Sequence, residues 1–368
     1  MKIRAAVMGT PGAPFAIEEL ELERPRTGEV LIRVHASGIC HTDLIVRDQW
    51  YPVPLPAVLG HEGAGVVEAV GEAVVKVSPG DHVALSYGSC GRCANCLRAR
   101  PWVCLEFWER NFGATRGDGS TALHRDGRAV HSHFFSQSSF ATHAIATERN
   151  LVKLEREIPL EVVAPFGCGI QTGAGAILNA LRPPAGSSVA VFGTGTVGLA
   201  AVLAAQIAGC TTIIGIDIRR SRLELARDIG ATHVVDPGEA EPVAAIKELT
   251  GGQGADYSLE ATGLPPVLQQ AVYATAPGGV CGLIGAPRFG TEVSLDVNQM
   301  LALGRTLRGI VEGESVADVF VPPLLELWSA GRFPVERIIS FYDFDQIQKA
   351  AEDAEQGVVV KPVLRMPI

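Results

Sequence analysis

The chain has 368 residues, 47% of them hydrophobic and 19% charged, with a formal net charge of -9. That is enough apolar material for two domains with separate cores, and an acidic chain without a basic block is a poor partner for nucleic acid or an anionic membrane. The amino terminus MKIRAAVMGTPG lacks an apolar segment before a small-residue cleavage site, and no stretch offers about 18 uncharged apolar residues, so a cytoplasmic protein is expected.

Residues 1 to about 90 hold short runs, KIRAAVM, FAIEELEL, EVLIRVHASGI, GAGVVEAVG and HVALSY, that predict a compact, mostly antiparallel β unit. Pro79-Gly80-Asp81 is a turn between two of them. Cys40-His41-Thr42-Asp43 closes the third strand and is expected to open a short helix that aims the Cys40 thiolate into a cleft. The Thr42 hydroxyl can donate and accept at once, which suits proton transfer, and it equally suits a helix N-terminus. In Gly60-His61-Glu62-Gly63-Ala64-Gly65 an imidazole and a carboxylate lie among glycines that permit tight bends. Zn2+ prefers thiolate and imidazole, and a catalytic zinc keeps three protein ligands and one open position. Cys40, His61 and Cys168 would supply that set, although spacing alone does not pair them.

Cys90, Cys93, Cys96 and Cys104 form C-x2-C-x2-C-x7-C, the strongest local signal in the chain. In a long chain of this composition they point to metal rather than disulfides. Four thiolates at such spacing make a closed structural zinc site worth on the order of 10 kcal/mol of local folding energy, with an iron–sulfur cluster as the competitor. From Cys104 to about Phe140 a long irregular loop is expected, with His131 and His133 solvated.

PFGCGIQTGAGAI brings Cys168 just before a helical run. SVAVFGTGTVGLAAVLAAQIAGCTTIIGID then reads as strand, glycine turn, helix and strand, with Gly193, Gly195 and Gly198 as G-x-G-x-x-G and Asp217 closing the second strand. This is the dinucleotide-binding context. Asp217 would accept both adenosine ribose hydroxyls and repel a 2'-phosphate, so NAD is favoured over NADP. Alternating helices and strands continue to GGVCGLIGAP, and after about Arg305 two helices and a final strand, VVVKPVLRM, are expected to return to the first domain.

GHEGAGVVEAVGEAV, residues 60 to 74, fits the zinc-containing alcohol dehydrogenase signature G-H-E-x2-G-x5-G-x2-V at every fixed position. Over almost its whole length the chain resembles that medium-chain family, and within it the aryl-alcohol (benzyl alcohol) dehydrogenases. The resemblance implies an α/β fold, with a GroES-like, mostly antiparallel β catalytic domain over 1–169 and 306–368, a structural zinc lobe near 90–104, and a doubly wound Rossmann cofactor domain over 170–305. It implies two Zn2+ per chain: a catalytic ion on Cys40, His61 and Cys168, with Glu62 beside it or a transient ligand, and a structural ion on the four clustered cysteines. Thr42 would take the proton of the bound alcohol while a hydride passes to the nicotinamide. His41 and Lys361 would lie at the pyrophosphate, although Lys361 also reads as a solvated strand residue. Arg222 would contact the ribose, and Thr172, Gly285 and Ala286 the nicotinamide.

Many relatives carry a His three residues past that hydroxyl as a proton relay, where this chain has Ile45. Trp50 and Tyr51 would flank a flat substrate ring, and Ser86 would leave room for it. The expected reaction is oxidation of a primary aromatic alcohol to its aldehyde, in a homo-oligomer without nucleic-acid or membrane partners. The alternatives are an allylic terpene alcohol such as geraniol, or a noncatalytic cofactor-binding protein on the same fold.

Overall fold

In the computed structural model, which describes residues 1–367, the chain divides into two compact units. The first takes Met1–Cys168, Val316–Leu325 and the residues from Glu336 on; the second takes Gly169–Ser315 and Glu326–Val335. Among the described residues no helix is long and apolar enough to cross a membrane.

The first unit holds two sheets. One runs in the order Leu151–Leu154, His82–Leu85, Gly63–Val70, Glu29–Gly38, Lys361–Arg365 and Ile339–Asp343, with His143–Thr147 also paired to Glu29–Gly38. Every pairing is antiparallel except that of the last two strands. The strand Glu29–Gly38 is apolar on both faces because both are covered: Val30 and Ile32 pack with Val67, Val83 and Leu85, while Leu31 and Val34 enter a second cluster. Its pairing sets Ser37 opposite Gly63. The residues that follow one strand, from Cys40, thereby meet those that precede the other, His61 and Glu62. A Cβ at Gly65 would lie 2.2 Å from the Arg33 carbonyl oxygen, so only glycine permits this approach. The second sheet runs Ala57–Val58, Lys2–Met8, Ala16–Leu22, Leu123–Arg125 and Arg128–Val130, all antiparallel.

The stretch from Cys104 to Phe140 is not the solvated loop expected of it. It contains the helix Phe107–Phe112 and the hairpin Leu123–Arg125 with Arg128–Val130, and Phe134, Phe135 and Phe140 are core residues. His133 is buried with Nδ1 2.8 Å from Ser132 Oγ, and His131 is half-buried. Charge pairing lets this polar segment pack inward: Arg116 reaches Glu29 at 2.6 Å and Glu23 at 2.8 Å.

The second unit is a six-stranded parallel sheet ordered His233–Val235, Thr212–Ile216, Ser188–Phe192, Ala255–Glu260, Thr275–Leu283, Thr306–Gly309. This is the doubly wound order, which reverses between Ser188–Phe192 and Ala255–Glu260. Its edge corrects the expected domain boundary. Thr306–Gly309 pairs with Val280 to Leu283, so residues 306–315, together with 326–335, belong to this unit and not to the first. The helix Thr196–Ile207 is buried from Gly198 to Ala205, which is why its sequence is Ala- and Leu-rich on every side.

Candidate active site

Cys40 caps the helix His41–Arg47, and the third helical residue, Asp43, organises everything around it. One oxygen of the Asp43 carboxylate accepts from the Cys40 N–H at 2.9 Å; the other accepts from the Gly60 N–H at 3.1 Å and from His61 Nδ1 at 2.9 Å. Asp43 and His61 are fully buried. A proton held on Nδ1 leaves Nε2 with the lone pair, and Nε2 is buried without a hydrogen-bond partner among the described residues. Gln137 steadies the same peptide, donating from Nε2 to the His61 carbonyl at 2.9 Å and accepting from the Gly63 N–H at 3.1 Å. Phe135 stacks on the imidazole at 4.4 Å.

The ligand atoms of Cys40, His61, Glu62 and Cys168 all lie within 4.8 Å of one another. An orphaned imidazole nitrogen facing two cysteine sulfurs is the donor set of a borderline-soft ion, so these residues fit zinc. The Cys168 thiol holds that of Cys40 well below the usual range, and His61 and Lys361 act in the same direction against burial. Burial alone would push His61 down, but the Asp43 carboxylate outweighs it and keeps the ring unusually basic, which strengthens it as a ligand.

Lys361 is where the structure departs most from expectation. Its ammonium is fully buried and donates to both Glu62 oxygens at 2.8 and 2.9 Å and to the Ile39 carbonyl at 3.0 Å. All three donors are engaged there, so Lys361 is the counter-ion of Glu62 rather than a free cation for a pyrophosphate. Ser86 has a partner of its own. It is buried, and its hydroxyl donates to the Gly167 carbonyl at 2.7 Å, fixing the segment that carries Cys168.

Thr42 Oγ1 lies 3.7 Å from Cys40 Sγ, His41 is exposed in the first turn of the helix, and Ile45 is buried. Trp50 is half-buried. Tyr51 makes edge contacts with Trp108 at 5.4 Å and Phe112 at 5.6 Å, and Trp108 stacks on Phe112 at 4.1 Å. Phe112 in turn meets Phe134 and Phe135, so a run of aromatic rings extends from Tyr51 to His61. Asp43, Gln137 and Phe135 were not anticipated. Asp43 alone had a local signal, a carboxylate three residues past a helix-capping position.

Cys90, Cys93, Cys96 and Cys104 also bring their sulfurs within 4.8 Å of one another. Backbone N–H groups of Cys96 and Leu105 draw the Cys93 thiol down to about 6, and burial pushes Cys104 up to about 12. Four converging sulfurs without oxygen donors fit a closed zinc site.

In the second unit Gly193 turns at φ 90°, and a Cβ on Gly198 would lie 1.9 Å from the Gly193 carbonyl oxygen, so the first and third glycines serve turn and close packing. Above Gly195 a Cβ would meet only Arg222, at 3.9 Å, which leaves the space a pyrophosphate needs at the N-terminus of Thr196–Ile207. Asp217 is buried and accepts from Thr194 N at 2.8 Å, Thr194 Oγ1 at 3.0 Å and Arg219 N at 2.9 Å; Arg222 Nη1 is 4.0 Å away. Thr172 Oγ1 donates to Glu312 at 3.3 Å, and Gly285 and Ala286 follow the strand Thr275–Leu283. The glycine cradle and buried acid fit a dinucleotide.

Comparison with known proteins agrees with both halves. The alcohol dehydrogenase GroES-like domain family matches residues 26–156, and the zinc-binding dehydrogenase family matches residues 196–328. The chain is 48% identical to geraniol dehydrogenase of Castellaniella defragrans over 363 residues, 98% of this chain and 97% of that protein. It is 35% identical to alcohol dehydrogenase 1 of Zea mays over 373 residues, covering 100% of this chain and 98% of the other. The crystal structure of benzyl alcohol dehydrogenase from Acinetobacter calcoaceticus superposes with a TM-score of 0.97 at 48% identity, covering 100% of both chains.

Proposed function

Because this chain belongs to the zinc-type medium-chain alcohol dehydrogenase family, we propose that it interconverts a primary aromatic alcohol of the benzyl type and its aldehyde with NAD. The observation that carries the aromatic reading is the run of rings from Tyr51 through Trp108 and Phe112 to Phe135, which stacks on His61 beside the cysteine sulfurs. Flat rings favour offset or edge contacts with one another, so such a wall suits an aryl group.

In this reading Cys40, His61 and Cys168 hold a catalytic zinc, and the four clustered cysteines hold a structural one. When bound, the zinc supplies Lewis acidity that eases loss of the alcohol proton, and the nicotinamide supplies the hydride acceptor. The Thr42 hydroxyl takes the proton while donating its own onward. With Ile45 in place of a histidine, no side chain at that position would carry the proton onward, and water would receive it. His41 is a second candidate acceptor in the same turn, and an unaltered pH–rate profile in His41→Ala excludes it. Asp43 orients His61, and Lys361 neutralises Glu62. Asp217 takes the adenosine ribose hydroxyls and disfavours a 2'-phosphate, with Thr172, Gly285 and Ala286 at the nicotinamide. A cytoplasmic homo-oligomer belongs to the same proposal, and sedimentation measures its stoichiometry.

The extensive identity to a geraniol dehydrogenase favours a second reading, an allylic alcohol substrate. The test is kcat/KM with NAD for benzyl alcohol, geraniol and ethanol side by side. A lead for benzyl alcohol supports the aromatic reading, a lead for geraniol replaces it with the allylic one, and a lead for ethanol removes both. Absence of turnover in zinc-loaded protein across all three leaves the noncatalytic alternative.

A further inference from the structure

The parallel sheet of the second unit reverses its winding between Ser188–Phe192 and Ala255–Glu260, and in doubly wound sheets the ligand binds at the carboxyl ends of the strands at such a point. Glu260 is the last residue of its strand, in register with Phe192 and therefore beside the start of the glycine turn. It is fully buried. Its Oε1 accepts from Thr262 N and Thr262 Oγ1, both at 2.5 Å, and from Gly263 N at 2.9 Å. Its carbonyl oxygen accepts from the N–H groups of Ile284 at 2.9 Å and Gly285 at 3.0 Å. One residue thus ties the turn 261–263, which ends one strand, to the loop 284–286, which ends the next.

The joint is tight. A Cβ on Gly285 would lie 2.1 Å from Gly263 N and 2.7 Å from Glu260 Oε2, and a Cβ on Gly193 would lie 2.7 Å from Thr262 Cγ2. Oε2 itself is buried with no hydrogen-bond partner among the described residues. Leaving one oxygen of a buried carboxyl unpaired costs stability, and a residue that serves only to cap a turn does not require it. Such costs are retained where a site must hold a particular geometry.

We propose that Glu260 is a positioning residue for the nicotinamide half of a dinucleotide: by locking the turn 261–263 against the loop 284–286, it sets the surface on which that half rests. The proposal rests on the NAD reading above, and the experiment separates the two. NADH and AMP are titrated into wild-type and Glu260→Ala protein, zinc-loaded, by fluorescence and calorimetry, with the melting midpoint of the ligand-free protein measured alongside. AMP reports the adenosine side at Asp217.

The expected result is a Kd for NADH raised about tenfold with AMP changed by less than about twofold, whatever the fall in the melting midpoint. Equal affinities for NADH in both proteins overturn the proposal, as does parallel weakening of NADH and AMP, which marks general loosening. A wild-type protein that binds neither ligand removes the NAD reading itself and the proposal with it. Where Glu260→Ala does not fold, Thr262→Ala removes one of the three donors to the same oxygen; a selective loss of about threefold for NADH supports the proposal and no selectivity overturns it.

Discussion

Asp43→Asn tests the construction of the candidate metal centre most directly, because a single carboxylate positions both Cys40 and His61. An asparagine keeps one oxygen and replaces the other with an NH2 donor. With its oxygen toward Gly60 and His61, the NH2 group faces the Cys40 N–H, which Asp43 now accepts at 2.9 Å. With its oxygen toward Cys40, the NH2 group faces two donors, at 3.1 and 2.9 Å. The milder arrangement loses one charge-assisted hydrogen bond and sets two buried donors against each other, costing about 2–3 kcal/mol. Borne by the geometry of the site, that is roughly 30- to 150-fold in zinc affinity. Competition with a chromophoric chelator measures it: of the two zinc ions proposed per chain, one should exchange much more readily in the variant while the other remains as in wild type. An affinity within about threefold of wild type in a folded variant would refute the argument that Asp43 holds the ligands in place.

Three further outcomes are expected. Cys104→Ala should lower the zinc content by one ion per chain and make the segment 90–104 the first site of limited proteolysis, since the four sulfurs there converge without any other donor; retention of both ions refutes a structural zinc. Asp217→Ser should raise kcat/KM with NADP relative to NAD by about tenfold or more, because the buried carboxylate no longer opposes a 2'-phosphate; an unchanged ratio places the discrimination elsewhere. Glu29 gives a pH signature. Burial pushes its carboxyl up, but His133, the Arg116 guanidinium and the Arg26 N–H outweigh it and bring the pKa to about 2 from 4.5. A depressed folded-state pKa contributes stability that is full above about 4.5 and is lost as pH falls towards 2, about 3 kcal/mol in all. Glu29→Gln should therefore be less stable than wild type at pH 7 in urea unfolding, with the difference vanishing near the acid end; an equal difference at both ends refutes the assignment.

What was legible in the sequence was whatever is carried by chain-local chemistry. The cysteine run, the glycine turn with Asp217, and the glycine-flanked His61 each announce a donor set or a backbone need within a short window. Burial of polar residues is different, because it depends on partners that only the folded chain brings near. Arg116 and Glu29 lie in separate strands and loops, and without their 2.6 Å contact the polar segment between Cys104 and Phe140 reads as solvated. The strand Thr306–Gly309 has too few residues for a periodic signal, so its unit is decided by edge pairing alone.

Lys361 shows the same limit at the site itself. In VVVKPVLRM it reads as a strand residue facing solvent or a ligand, yet the strand Lys361–Arg365 lies next to Glu29–Gly38 in the sheet and delivers its ammonium to Glu62. Two thiolates and the carboxylates of Glu62 and Asp43 would place four negative charges around His61 without a cation. Lys361 offsets Glu62, the Cys40 and Gly60 N–H groups and His61 Nδ1 hold Asp43, and the two charges of a zinc ion would match the two cysteine sulfurs. A partner for every buried charge is what such a centre requires where solvent is excluded and unpaired charge is expensive.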